Sequence, residues 1–253
     1  MPEQILWWAG NLLEGLILWR GLSVGLARKY PFFYSYLGYV LLESSVRLVV
    51  FHWKPEWYEP VYWYTQILSA AFGYVVVWGI CAHSLAPYPG AARMARWALT
   101  IPLVPVVTRL IVVASTHNGF SLPATAAEFE RDIRAVQSIL FIAILLLYIY
   151  YRMPLDANLK GILLGYGLYI AVSVMVLASQ ALLLGNHEVV WRYLQPSAYA
   201  AALCIWCGFL WSPAAVAQRP AKAPIELDYE ALASNTAKLF ARLRLYLARA
   251  VRS

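Results

Sequence analysis

Residues 159–184, LKGILLGYGLYIAVSVMVLASQALLL, carry one charge, Lys160, at their start and none thereafter. A helix rises about 1.5 Å per residue, so roughly 20 such residues cross a hydrocarbon core of about 30 Å. The run is continuously apolar, not alternating, which predicts a helix and argues against a strand of a barrel. Working outward, six more stretches share this character: 4–25, 31–53, 61–83, 97–115, 133–151 and 190–212. Hydrophobic residues make up 62% of the chain and charged residues 13%. The mean hydropathy is +0.59, well above that of a soluble domain. The predicted fold class is all-α: a polytopic membrane protein with a seven-transmembrane-helix bundle over 1–212. A cytoplasmic linker and a C-terminal amphipathic interfacial helix follow over 213–253.

Charge in the connections predicts orientation. Arg28 and Lys29 follow span 1, Arg93 and Arg96 follow span 3, and Arg152 and Lys160 flank the connection after span 5. These belong on the cytoplasmic side with the basic tail. The alternate connections carry Glu56 and Glu59, then Glu128, Glu130 and Asp132, then His187 and Glu188. The expectation is a multi-pass protein of the plasma or inner membrane, amino terminus outside and carboxyl terminus cytoplasmic. Glu3 stands where a signal peptide has a basic region, so span 1 is expected to remain. Trp7, Trp8, Trp53, Trp57, Trp63 and Trp191 then fall near the outer interface, and Trp97 and Trp211 near the inner one, as anchors.

After Pro213 an Ala- and Pro-rich linker to residue 225 leads into a helix expected from about Leu232 to Arg252. Leu232, Leu239, Phe240, Leu243, Leu247 and Val251 share one side of it, and Lys238, Arg242, Arg249 and Arg252 the other. Anionic lipid is the expected partner of that basic side, which accounts for most of the +7 formal charge without nucleic acid. A protein partner or a second copy of the chain is also open. A further pattern links 61–66 (VYWYTQ) with 190–195 (VWRYLQ), and 37–39 with 164–166 (both LGY), suggesting a three-plus-one-plus-three plan.

Ionisable groups within membrane spans are costly unless paired or hydrated, so they are the functional candidates. Glu14 lies near the middle of span 1, Glu43 near the middle of span 2, Arg47 one turn further out, and Arg109 outward of the middle of span 4. Gln66, Arg134, Gln137 and Gln195 also fall toward the outer side. Two readings stay open. These groups line an outward cavity in which arginines hold an anion, or they form packing pairs such as Glu43 with Arg47 and Glu14 with Arg109.

Cys204 and Cys207 form a C-x-x-C within span 7, and with Cys81 they read as small buried hydrophobes, since an apolar helix hides a thiol. The four histidines share no depth suited to haem, and no zinc set is recognised; no metal is expected. In span count and orientation the topology resembles that of microbial rhodopsins. That resemblance implies retinal on a lysine of the seventh helix, but span 7 has no lysine, so no retinal is expected. Residues 43–47, ESSVR, resemble part of the Glu-Glu-x-x-x-Arg motif of membrane-embedded CAAX-type proteases, with only one of the glutamates present. The expected function is nonenzymatic: an outward-facing small-ligand sensor or an integral subunit of a membrane complex. The alternative is transport of a small polar or anionic solute, with an intramembrane enzyme behind it.

Overall fold

Prolines, a glycine and an aspartate punctuate the chain where helices begin and end. In the computed structural model, residues 2–115, 121–153, 155–182, 188–214, 225 and 227–238 are described. Helix α1 runs Pro2–Ser23 and is broken from the single turn α2, Leu26–Lys29, by Gly25. The φ of Gly25 is +78°, a left-handed conformation that a Cβ disfavours. Pro31 opens α3 (Pro31–Trp53), and Pro55 begins a 3₁₀ turn leading into α4 (Tyr58–Leu85). Helices α5 (Pro89–Ser115) and α6 (Leu122–Tyr150) also start at or beside a proline, where a missing N–H costs nothing. Asp156 precedes α7 (Ala157–Leu182) and accepts the Leu159 N–H at 2.7 Å as its N-cap. Helix α8 spans Glu188–Leu210, and residues 227–238 are helical.

The described residues contain no strand. Among the described residues, four helical segments are long and apolar enough to cross a membrane: Pro55–Leu85, Pro89–Val113, Leu122–Tyr150 and Ala157–Val176. The expected crossings at 4–25, 31–53 and 190–212 coincide with α1, α3 and α8, which fall outside that measure. Their tyrosines and tryptophans, with Glu14, Glu43 and Arg47, lower the average hydropathy.

Contacts between helices close a ring in the order α1, α3, α4, α6, α7, α8 and back to α1, with α5 outside it against α4 and α6. Inside lie Leu37, Val77, Ile133, Ile162, Tyr166 and Trp206. At the end of the ring near α2, Lys29 meets Asp156 at 2.8 Å, and Tyr30 donates to the same carboxylate at 2.8 Å. Burial opposes charge on Asp156, but the Lys29 ammonium, the Leu159 N–H and the Tyr30 hydroxyl overcome it and hold the carboxyl below its ordinary range. Asn158 donates to the carbonyls of Phe209 and Ser212 at 2.7 and 2.8 Å, tying α7 to the end of α8. Arg20 reaches the Trp211 carbonyl at 2.8 Å.

Three expectations need correction. Glu128, Glu130 and Asp132 are not in a connection but in the opening turns of α6, and Arg93 and Arg96 lie within α5. An apolar window ends where charge begins, whereas a helix continues through charges that find partners. In the tail, helix is present from 227 rather than 232, and Ile225 is buried against Leu85, Tyr88 and Ala91, so the linker ends in a docked segment. Tyr151 donates to Asp228 at 2.9 Å beside it. Of the cysteines only Cys81 is buried; Cys207 is half-buried and Cys204 faces outward, because it falls on the side of α8 turned away from the ring.

Candidate functional site

The polar residues picked out in the spans resolve into separate groups. Glu43 and Arg47 form an ion pair one turn apart on α3. Arg47 also donates to the Thr65 hydroxyl at 2.9 Å, the Tyr62 carbonyl at 3.1 Å and Gln66 Oε1 at 3.1 Å, and lies 4.3 Å from the centre of the Tyr62 ring. The Nε and Nη2 groups of this guanidinium therefore work within a short stretch of α3 and α4.

Arg134 is buried on α6 and pairs with Glu130 at 2.6 Å; it also donates to the Tyr169 hydroxyl at 3.2 Å. Arg109 takes two carboxylates, Asp132 at 2.5 Å and Glu128 at 2.7 Å, at a half-exposed position between α5 and α6. The three arginines thus do not meet around one anion site: each is matched by acid. Nor does Glu14 pair with Arg109. Gln137 is buried and donates to the Ala70 carbonyl at 3.0 Å, while Tyr166 donates to the Gly73 carbonyl at 2.6 Å. A Cβ on residue 73 would sit 2.8 Å from that tyrosine oxygen and 3.2 Å from Gln137 Nε2, so glycine permits this α4–α6–α7 lock. Gln195 is half-buried on α8. Lys238 is exposed, and Arg242, Arg249 and Arg252 lie outside the described residues.

Glu14 is different. It is 2% exposed, its Oε2 has no hydrogen-bond partner, and no cation reaches it among the described residues. The Tyr199 hydroxyl beside it also lacks a partner of good geometry. Both border a cavity of about 270 Å³ between α1, α3 and α8. Local helix periodicity builds its walls. Trp7, Gly10, Asn11 and Glu14 recur at three- and four-residue spacing on α1, Val40 and Ser44 at four on α3, and Tyr193, Pro196 and Tyr199 at three on α8. From Tyr199 a chain of ring contacts continues to Tyr169, at 5.4 Å, and so to Arg134.

Sequence reasoning singled out Glu14 but missed Asn11, Tyr193 and Tyr199 as its companions. The spacing of Asn11 and Glu14 was a usable signal; the partnership of α1 with α8, far apart in the chain, was not. Asp156 was also missed, although an aspartate just before an apolar helix is a recognisable cap. No group of three or more potential metal ligands occurs among the described residues. No protein-family model, curated protein or solved structure matches the chain.

Proposed function

We propose that this chain is a nonenzymatic, multi-pass membrane protein that senses a small ligand in the α1–α3–α8 cavity. All seven long helices cross the plasma or inner membrane, with the amino terminus outside and the carboxyl terminus cytoplasmic. The observation that carries the ligand site is Glu14: a buried carboxylate on a cavity wall that meets no cation among the described residues and has one oxygen without a hydrogen-bond partner, whereas Glu43 and Glu130 are paired with arginines. An acid without a counter-charge inside a bilayer is expensive, so a site that keeps one has a use for it.

Support for seven crossings comes from the helices outside the hydropathy measure. Trp8, Leu12 and Trp19 on α1, Leu42 and Val49 on α3, and Phe209 on α8 are exposed, as lipid-facing side chains are. Lys29, Arg96, Arg152 and Lys160 cluster toward one end and Glu56, Glu59 and Glu128 toward the other, which supports the orientation. It places the Glu14 cavity in the outer half. The basic side of the tail, Lys238, Arg242, Arg249 and Arg252, fits anionic lipid of the inner leaflet, and the signal passes to another chain.

A second reading, an integral subunit, is favoured by α5, which stands outside the ring with Trp97 63% and Ile101 62% exposed. Carriage of an anionic solute has less to support it, because Arg47, Arg109 and Arg134 each meet a carboxylate. The test is native mass spectrometry of protein gently released from its own membrane. A discrete small molecule on a lone chain, lost when Gly10→Phe fills the cavity, is expected; a stoichiometric second protein with no small molecule would replace the sensor by the subunit. In whole cells, an impermeant maleimide should label a cysteine placed at Tyr193 but not one at Tyr229. The reverse pattern would overturn the orientation.

A further inference from the structure

The walls of the Glu14 cavity define the chemistry of its occupant. A carboxylate repels an anion, and a neutral guest would leave its charge uncompensated in low dielectric. A calcium or magnesium ion would want about six or more oxygen ligands, and this cavity offers a single carboxylate. Trp7, Tyr193 and Tyr199 line the same space, and aromatic rings attract cations by their quadrupoles. Asn11 spends an amide hydrogen on the Trp7 carbonyl at 2.9 Å, which keeps its Oδ1 an acceptor, and the Ser44 hydroxyl adds another.

Resting on the reading of this cavity as the ligand site, we propose that its ligand is a small organic ammonium ion, a protonated amine whose charge is met by Glu14 and whose apolar part lies among Trp7, Tyr193 and Tyr199. Two acceptors and an acid suit an ammonium with several N–H donors. The cavity of about 270 Å³ has room for a one-ring amine. The nearest acid in the ring, Glu43, is already neutralised by Arg47, so the added charge is balanced by Glu14.

The experiment is calorimetric titration of the full chain in lipid nanodiscs with three probes of one shape: 2-phenylethylamine, 2-phenylethanol and phenylacetate. Wild type is expected to bind the amine at least tenfold more tightly than the alcohol and to show no binding of the acid. Glu14→Gln, nearly isosteric, should lose tenfold or more in amine affinity with an unchanged melting temperature. Asn11→Ala should lose a smaller factor. Equal binding of amine and alcohol to wild type overturns the inference without any variant, and so does full amine affinity in a folded Glu14→Gln protein. A native small-molecule adduct that Gly10→Phe loses and Glu14→Gln keeps would leave the cavity a ligand site while overturning the amine. Absence of both adduct and probe binding would overturn the ligand site itself.

Discussion

Replacing Asp156 should loosen the α2 end of the ring more than replacing any other single charge there. One carboxylate performs three tasks: it caps α7 through the Leu159 N–H at 2.7 Å, accepts the Tyr30 hydroxyl at 2.8 Å and pairs with Lys29 at 2.8 Å. Its side chain is 4% exposed, whereas that of Lys29 is 26% exposed. The cap is worth about 1 kcal/mol and a hydrogen bond to a charged group about 2 kcal/mol. The ion pair itself adds little, because Lys29 is partly hydrated. Asp156→Ala should therefore cost about 3 kcal/mol, which for a chain of this size is a fall in melting temperature of roughly 6 to 12 °C. Asp156→Asn keeps a capping oxygen and should cost about half as much. The carboxyl has a lowered pKa in the folded protein, so its contribution is complete above the ordinary aspartate value and fades as pH falls through the lower folded value. Melting of wild type and Asp156→Asn in detergent should differ equally at pH 7 and pH 5 and converge below about pH 4. A melting temperature of Asp156→Ala within about a degree of wild type would refute this account of the α2–α7 junction.

Gly73→Ala pushes a methyl group against Tyr166 and Gln137 and should destabilise the fold by about 2 kcal/mol, read as a lowered melting temperature, with Gly38→Ala, which meets open space, as the contrast. Glu43→Ala should destabilise more than Glu128→Ala, because the first strands Arg47 within the ring while Arg109 in the second keeps Asp132; both are measured by thermal unfolding in the same detergent. Cys204 should react with N-ethylmaleimide in detergent well before Cys81, with the modified residue identified by peptide mass spectrometry. Truncation after residue 214 removes Ile225 from its contacts with Leu85, Tyr88 and Ala91, and should lower the melting temperature by a few degrees, about what loss of one buried aliphatic side chain costs.

Helix boundaries were largely legible. Residues 31–53 read as a span and form α3, and the extents expected for α4, α7 and α8 shift by only two or three residues. The early starts of α5 and α6 were not, since Arg93, Arg96, Glu128 and Asp132 look like loop residues until Arg109 is seen to hold two of those acids. Adjacency of Glu43 and Arg47 followed from i,i+4 spacing, and that pair is present. What Arg109 and Arg134 would face did not follow, because their partners depend on which helices neighbour one another.

Apolar run length by itself determined that the chain is helical and has segments apolar enough to cross a bilayer, where each segment must satisfy its own backbone and hydrophobicity maps onto helix. Order around the ring was decided only in three dimensions. The exclusion of α5, and the meeting of α1 with α8, arise from side-chain fit between segments remote in the chain, such as Glu14 beside Tyr199. The cavity is a product of that meeting, so Glu14 could be recognised in the sequence as costly but not as lacking a cationic partner.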